Sequence, residues 1–130
     1  MSTPLKPSHG PVAVTGSAGY IGSHIVLNLV QHGYDVRACV RDATNLPNTA
    51  HLSAMDRIGP GRVTLYSCDM TKPGAYDVVF AGCAGIFHAA AEMGNLEGST
   101  PMKVYEGGLV ATRMVMDSIR KAGSVRRLVY

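Results

Sequence analysis

A chain of 130 residues, 46% hydrophobic and 16% charged, fits one globular domain large enough to bury a core. A net charge of +3, carried by scattered lysines and arginines, offers no basic run of the kind that binds nucleic acid. Cys39, Cys68 and Cys83 fit neither a disulfide framework nor a zinc spacing, no apolar run is long enough to cross a membrane, and the first residues lack the apolar core of a signal peptide, so the cytosol is the expected compartment.

Residues 1–10, with Pro4, Pro7, Ser8 and Gly10, read as a loose tail, and residues 11–130 as the folded domain. The first strand is expected from Pro11 to Thr15. A helix follows from about Gly19 to His32, because Ile21, Ile25, Val26, Leu29 and Val30 recur at helical spacing and Gly33 supplies a stop. The second strand spans Asp35 to Val40, where Val36, Ala38 and Val40 alternate with Arg37 and Cys39. Residues 42–60 are ambiguous: Leu46, Ala50, Leu52, Met55 and Ile58 suggest a helix ended by Gly59-Pro60-Gly61. A third strand covers Arg62 to Ser67, a short helix lies near Ala75 to Ala81, and a fourth strand covers Ala84 to His88. A long helix runs from about Met102 to Ala122, and a fifth strand opens at Val125 and continues through Arg127 to Tyr130.

Strands alternating with helices predict parallel βαβ units and an α/β, Rossmann-like doubly wound parallel sheet in the order 3-2-1-4-5. Within that frame the stretch Val12–His24, VAVTGSAGYIGSH, is the most specific feature. It reads as a strand, a turn holding Gly16, Gly19 and Gly22, and a helix start. Such a turn aims backbone N–H groups and the positive helix end at a phosphate. Gly16 makes the turn, Gly19 admits a pyrophosphate to the backbone, and Gly22 lets helix and strand approach. The expected ligand is therefore a dinucleotide, bound at the carboxyl ends of the strands.

The end of the second strand bears on which dinucleotide. Proteins that take NAD present an acid about 20 residues beyond the glycines, to bond the ribose 2′-OH. Val40 stands there, with Arg41 beside it and Arg37 earlier in the strand; Asp42 is the one acid within reach. A guanidinium suits the 2′-phosphate through charge-assisted bidentate hydrogen bonds, so NADP(H) is expected over NAD(H). The alternative is that Arg37 and Arg41 are solvated charges. His24 and His88 read as a solvated and a hydrogen-bonded structural histidine, and Met93 as packing or the edge of a substrate pocket.

Several segments together resemble the extended short-chain dehydrogenase/reductases, a group similar to the NAD-dependent epimerases and dehydratases. The resemblance is greatest to the dihydroflavonol and cinnamoyl-CoA reductases. The segments are VTGSAGYIGSH (Val14–His24), HGYDVRACVRD (His32–Asp42), CDM (Cys68–Met70), VFAGCAGIFHAAA (Val79–Ala91) and KAGSVRRLVY (Lys121–Tyr130). The resemblance implies a phosphate loop of Gly16, Gly19, Tyr20, Ile21 and Gly22, with Arg37 and Arg41 on the 2′-phosphate. It also implies Asp69 and Met70 at the adenine, and Ala89, Ala90 and Ala91 along the ribose towards the nicotinamide. In the long helix, Val104 stands where many relatives carry Asn, and Gly108 where a Thr is frequent.

The same resemblance implies hydride transfer between NADPH and a ketone, an aldehyde or the corresponding alcohol, using a serine and a Tyr-x-x-x-Lys pair. None of Tyr20, Tyr34, Tyr66, Tyr76, Tyr105 and Tyr130 has a lysine four places on. The chain is therefore expected to be the cofactor-binding part of a reductase, ending at Tyr130 as the fifth strand begins and inactive by itself. A small-molecule substrate is expected only where the remaining part is supplied. The alternatives are a stand-alone nucleotide-binding sensor or subunit, and a non-functional product that folds poorly. In related enzymes the long helix builds a dimer, which implies self-association through residues 102–122.

Overall fold

A computed structural model describes residues 3–90 and 100–130. Among the described residues five strands alternate with four helices: β1 (Val12–Thr15), α1 (Tyr20–Gln31), β2 (Asp35–Val40), α2 (Leu46–Ser53), β3 (Arg62–Ser67), α3 (Asp77–Phe80), β4 (Gly85–His88), α4 (Pro101–Ala122) and β5 (Arg127–Val129). All strand pairs are parallel, in the order β3-β2-β1-β4-β5. The Rossmann-like sheet expected from the alternation is the sheet observed.

β1 is central, and all four of its residues are buried, as a parallel strand covered on both faces requires. Its alternation divides the core. Val12 and Val14 join Val26, Leu29 and Val30 of α1 with Val36, Ala38 and Val40 of β2 on one face. Ala13 joins Cys39, Cys68, Val79, Phe80, Ile86 and Val115 on the other. Strand order reverses between β1 and β4, so a crevice opens at their carboxyl ends, where open α/β sheets hold ligands.

The helix boundaries follow local chemistry. α4 starts at Thr100, whose side-chain hydroxyl accepts from the Lys103 N–H at 3.2 Å, with Pro101 in the first turn. It stops at Gly123, whose φ of 66° is the left-handed cap that glycine adopts without strain. In the ambiguous stretch 42–60, only Leu46–Ser53 is helical. α3 and α4 are joined through Asp77, which accepts from Ser118 Oγ at 2.6 Å and from Lys121 Nζ at 2.9 Å. Those two bonds hold its carboxyl below the usual carboxylate range.

Residues 3–10, read from sequence as a loose tail, carry a 3-10 turn (Pro7–His9) and touch the domain at several points. Leu5 packs against the α1-side core, the Tyr34 hydroxyl donates to the Leu5 carbonyl at 2.8 Å, and Arg127 donates to the Thr3 carbonyl at 3.0 Å. Among the described residues no helix is long and apolar enough to cross a membrane.

Candidate functional site

The turn after β1 is built around close backbone approach. Gly16 has φ 65°, and a Cβ there would lie 2.8 Å from the Ala90 nitrogen and Cα, so the segment leaving β4 lies directly across the turn. A Cβ on Gly22 would come 2.0 Å from the Gly16 carbonyl oxygen, so the first turn of α1 rests on the glycine turn itself. Gly19 differs. Its φ is −74°, and a Cβ there would meet only the Gly16 oxygen, at an ordinary 3.4 Å. The fold does not need glycine at that position; a ligand approaching the backbone would.

Gly19 also caps α1, and no side chain bonds to the helix start. The first helical N–H groups of Tyr20, Ile21 and Gly22 are therefore the orphan donors that any helix start presents. Tyr20 and Ile21 are exposed at this end, while Gly22 is buried beneath it. The turn is braced from below: Ser17 N–H donates to the Cys39 carbonyl at 3.1 Å, and Ser17 Oγ to the Val14 carbonyl at 2.7 Å.

A cavity of about 300 Å³ opens beside this turn. Gly16, Ala18 and Gly19 form one side, Val40 and Arg41 follow β2, and Cys68 and Met70 follow β3. Ala89 and Ala90 close it from the end of β4, with Cys39 and Tyr76 completing the lining. Of the residues expected at a dinucleotide, the fold thus gathers Gly16, Gly19, Arg41, Met70, Ala89 and Ala90 around one space. Ala91 and Met93 lie outside the described residues.

Arg37 is placed elsewhere. Its guanidinium donates to the Val79 and Ala81 carbonyls at 2.9 and 2.7 Å, at the end of α3, and lies 5.8 Å from the centre of the Tyr66 ring. At about 3.3 Å per strand residue, it sits about 13 Å below Arg41 along β2. The structure does not bring it to the cavity. Arg37→Ala should therefore cost about 2 kcal/mol of stability, because two carbonyls lose a charged donor, and leave dinucleotide affinity within twofold. Urea melts and calorimetric titrations of the variant check both halves; a selective loss of NADPH affinity would restore Arg37 to the site.

Two acids near the cavity have their carboxylates engaged. Asp69 Oδ1 accepts from the hydroxyl and the N–H of Thr71 at 2.6 and 2.9 Å, and Asp42 Oδ1 accepts from the same groups of Thr44 at 2.6 and 2.9 Å. In each case the threonine hydroxyl is the main reason the carboxyl is held below its usual range. Asp69 itself does not line the cavity, although its neighbours Cys68 and Met70 do.

His88 has a structural partner. Its Nδ1 lies 2.7 Å from Thr15 Oγ1, which also accepts the Ala90 N–H at 3.1 Å. Burial pushes His88 below the ordinary histidine range. The pair ties the segment after β4 to β1 and sets where Ala89 and Ala90 run. His24, on the exposed side of α1, bonds to the Tyr20 carbonyl at 2.8 Å. Thr15, Ala18, Tyr76 and the two cysteines were not among the residues expected at the site. Their one signal is position, since Cys39 and Cys68 stand at the carboxyl ends of neighbouring strands.

Residues 12–130 match the model of the NAD dependent epimerase/dehydratase family. The chain is 35% identical over 129 residues to a dihydroflavonol 4-reductase of Hordeum vulgare, covering 97% of this chain and 35% of that enzyme. Vestitone reductase from alfalfa superposes with a TM-score of 0.67 at 24% identity, over 93% of this chain and 35% of the reductase. Gre2 from Candida albicans, solved with NADPH, superposes with a TM-score of 0.73 at 19% identity, over 91% of this chain and 35% of its own. The chain thus spans about a third of the length of the relatives it matches.

Proposed function

The chain belongs to the NAD dependent epimerase/dehydratase family, and from that premise we propose that it is the NADP(H)-binding portion of a reductase. The observation that carries the proposal is one cavity, bounded by the glycine turn, by Arg41 and by Ala89-Ala90, at the start of α1, where no side chain bonds to the helix end. In this reading the pyrophosphate lies on the orphan N–H groups that follow Gly19. Arg41 takes the 2′-phosphate, Met70 and the segment around Asp69 flank the adenine, and Ala89 and Ala90 guide the ribose towards the nicotinamide. Ala91 continues that path in the same proposal.

Bound there, NADPH supplies a hydride. The residues of this chain bind and orient it: the turn fixes the phosphates, and the Thr15–His88 pair fixes the segment along which the nicotinamide half runs. The proposed reaction of the longer protein is reduction of a ketone or aldehyde, or its reverse. A carbonyl gaining charge needs a positioned proton donor. The Tyr-x-x-x-Lys pair that the resemblance assigns to that task does not occur in this sequence. The chain by itself is accordingly proposed to bind the dinucleotide without turnover. The proposed setting is the cytosol, whose reducing poise suits three buried free thiols.

Calorimetric titration of the chain with NADPH and NADH tests this directly. Saturable binding of both, with NADPH tighter, is the expected result. Absence of binding to either would refute the proposal.

Self-association through α4 is part of the same proposal. Ala111, Val115 and Ser118 face the core, while Met102, Tyr105, Leu109 and Met116, spaced three, four and seven residues apart, form an exposed apolar stripe. Sedimentation should show a concentration-dependent dimer, and Tyr105→Glu with Leu109→Glu should yield monomer. A wild-type chain that stays monomeric at high concentration would remove this surface from the account.

A further inference from the structure

Tyr76 brings to the cavity a polar atom that the fold leaves without a partner. The residue directly precedes α3, and its ring lies flat against that of Phe80, with the centroids 5.1 Å apart and the planes 9° from parallel. Phe80 is fully buried and Tyr76 is 3% exposed, so the ring is held in place. It belongs to the core cluster of Cys39 and Cys68, with Met70 packed against that cluster. The hydroxyls of Tyr34 and Tyr130 reach the Leu5 carbonyl and the Thr112 hydroxyl. The Tyr76 hydroxyl bonds to none of the described residues. No sealed side-chain nitrogen or oxygen among the described residues is left unpaired, so that hydroxyl is not shut inside the core. Its opening is the cavity, which Tyr76 lines. Burial, reinforced by Cys39, Cys68 and Asp69, pushes the phenol above its ordinary range, so it keeps its proton. A buried tyrosine hydroxyl ordinarily has a partner, and one that opens into a binding cavity is placed to find it on the ligand.

We propose that the Tyr76 hydroxyl hydrogen-bonds the edge of the adenine ring of a dinucleotide held in this cavity. This rests on the reading of the cavity as the dinucleotide site. The position of Tyr76 selects the base over the other parts of the ligand. The glycine turn follows β1, whereas Cys39 lies at the end of β2 and Cys68 and Met70 follow β3, so the neighbours of Tyr76 lie on the Arg41 side of the turn, away from Ala89 and Ala90. Those neighbours are apolar or sulfur-bearing, a surface that suits a flat base and offers no charge to a phosphate. Adenine presents ring-nitrogen acceptors and an amino donor, and a phenolic hydroxyl can donate to the first or accept from the second. Arg41 and Tyr76 then hold two parts of the same half of the cofactor, the 2′-phosphate and the base.

The test is Tyr76→Phe in the full chain, titrated calorimetrically with NADPH and with adenosine 2′,5′-bisphosphate, which lacks the nicotinamide half, and melted in urea. The expected result is a loss of affinity of at least about threefold, by the same factor for both ligands, with a urea midpoint at or above that of the wild type, because the hydroxyl has no protein partner to lose. A smaller loss for either ligand would overturn the proposal. A lowered midpoint would overturn it too, since it would mean that the hydroxyl is bonded within the protein. A wild-type chain that binds neither ligand would sink the reading of the cavity itself, whereas wild-type binding that Tyr76→Phe leaves intact would sink the Tyr76 contact alone.

Discussion

Gly22→Ala should lower the unfolding free energy by about 3 kcal/mol and bring NADPH binding down at least tenfold. The added carbon would sit 2.0 Å from the Gly16 oxygen and 2.7 Å from its carbonyl carbon, both backbone atoms that no rotamer change can clear. Either α1 lifts from β1 or the turn shifts. Lifting α1 pulls Val26, Leu29 and Val30 from the core they share with Val12 and Val14. Shifting the turn moves Gly16 into Ala90, where its own hydrogens already face backbone. Gly19→Ala is the informative contrast. Its carbon meets only one atom at contact distance, so the melt should stay within about 0.5 kcal/mol of wild type, yet binding should fall because the carbon enters the phosphate's approach. Urea denaturation and calorimetry on both variants separate the two roles. Equal stability for Gly22→Ala and wild type would mean that the packing of α1 on the turn has been misread.

Arg41→Ala should cost NADPH roughly 2 kcal/mol, about a thirtyfold loss of affinity, and cost NADH less than twofold. The 2′-phosphate carries charge that NADH lacks, and Arg41 is the one arginine that lines the cavity among the described residues. Asp42, the acid that could serve a 2′-OH instead, already has Oδ1 occupied by Thr44. Arg41→Lys should recover only part of the loss, since an ammonium cannot form the bidentate fork. Equal losses for the two cofactors would remove the 2′-phosphate assignment.

How much of this was readable depends on whether a feature is local. The Val12–Thr15 run, the glycine spacing and the apolar period of α1 are local patterns, and the observed elements fall where those patterns place them. The sheet order follows because alternating strands and helices leave few chain paths. Residues 42–60 resisted because their apolar positions also fit the loop that packs against β3; Met55 touches the core from outside α2. For Arg37 the reason is geometric: a strand rises about 3.3 Å per residue, so four positions from Arg41 is a different place in the fold. Its destination, two carbonyls at the end of α3, is more than forty residues away in sequence and leaves no trace near Arg37.

The most direct measurement is a crystal structure of the chain grown with NADP+. The account expects the pyrophosphate on the backbone N–H groups after Gly19, the 2′-phosphate within hydrogen-bond distance of the Arg41 guanidinium, and the adenine beside Met70. A nucleotide bound away from the glycine turn, or a 2′-phosphate turned out to solvent with Arg41 unengaged, would contradict it.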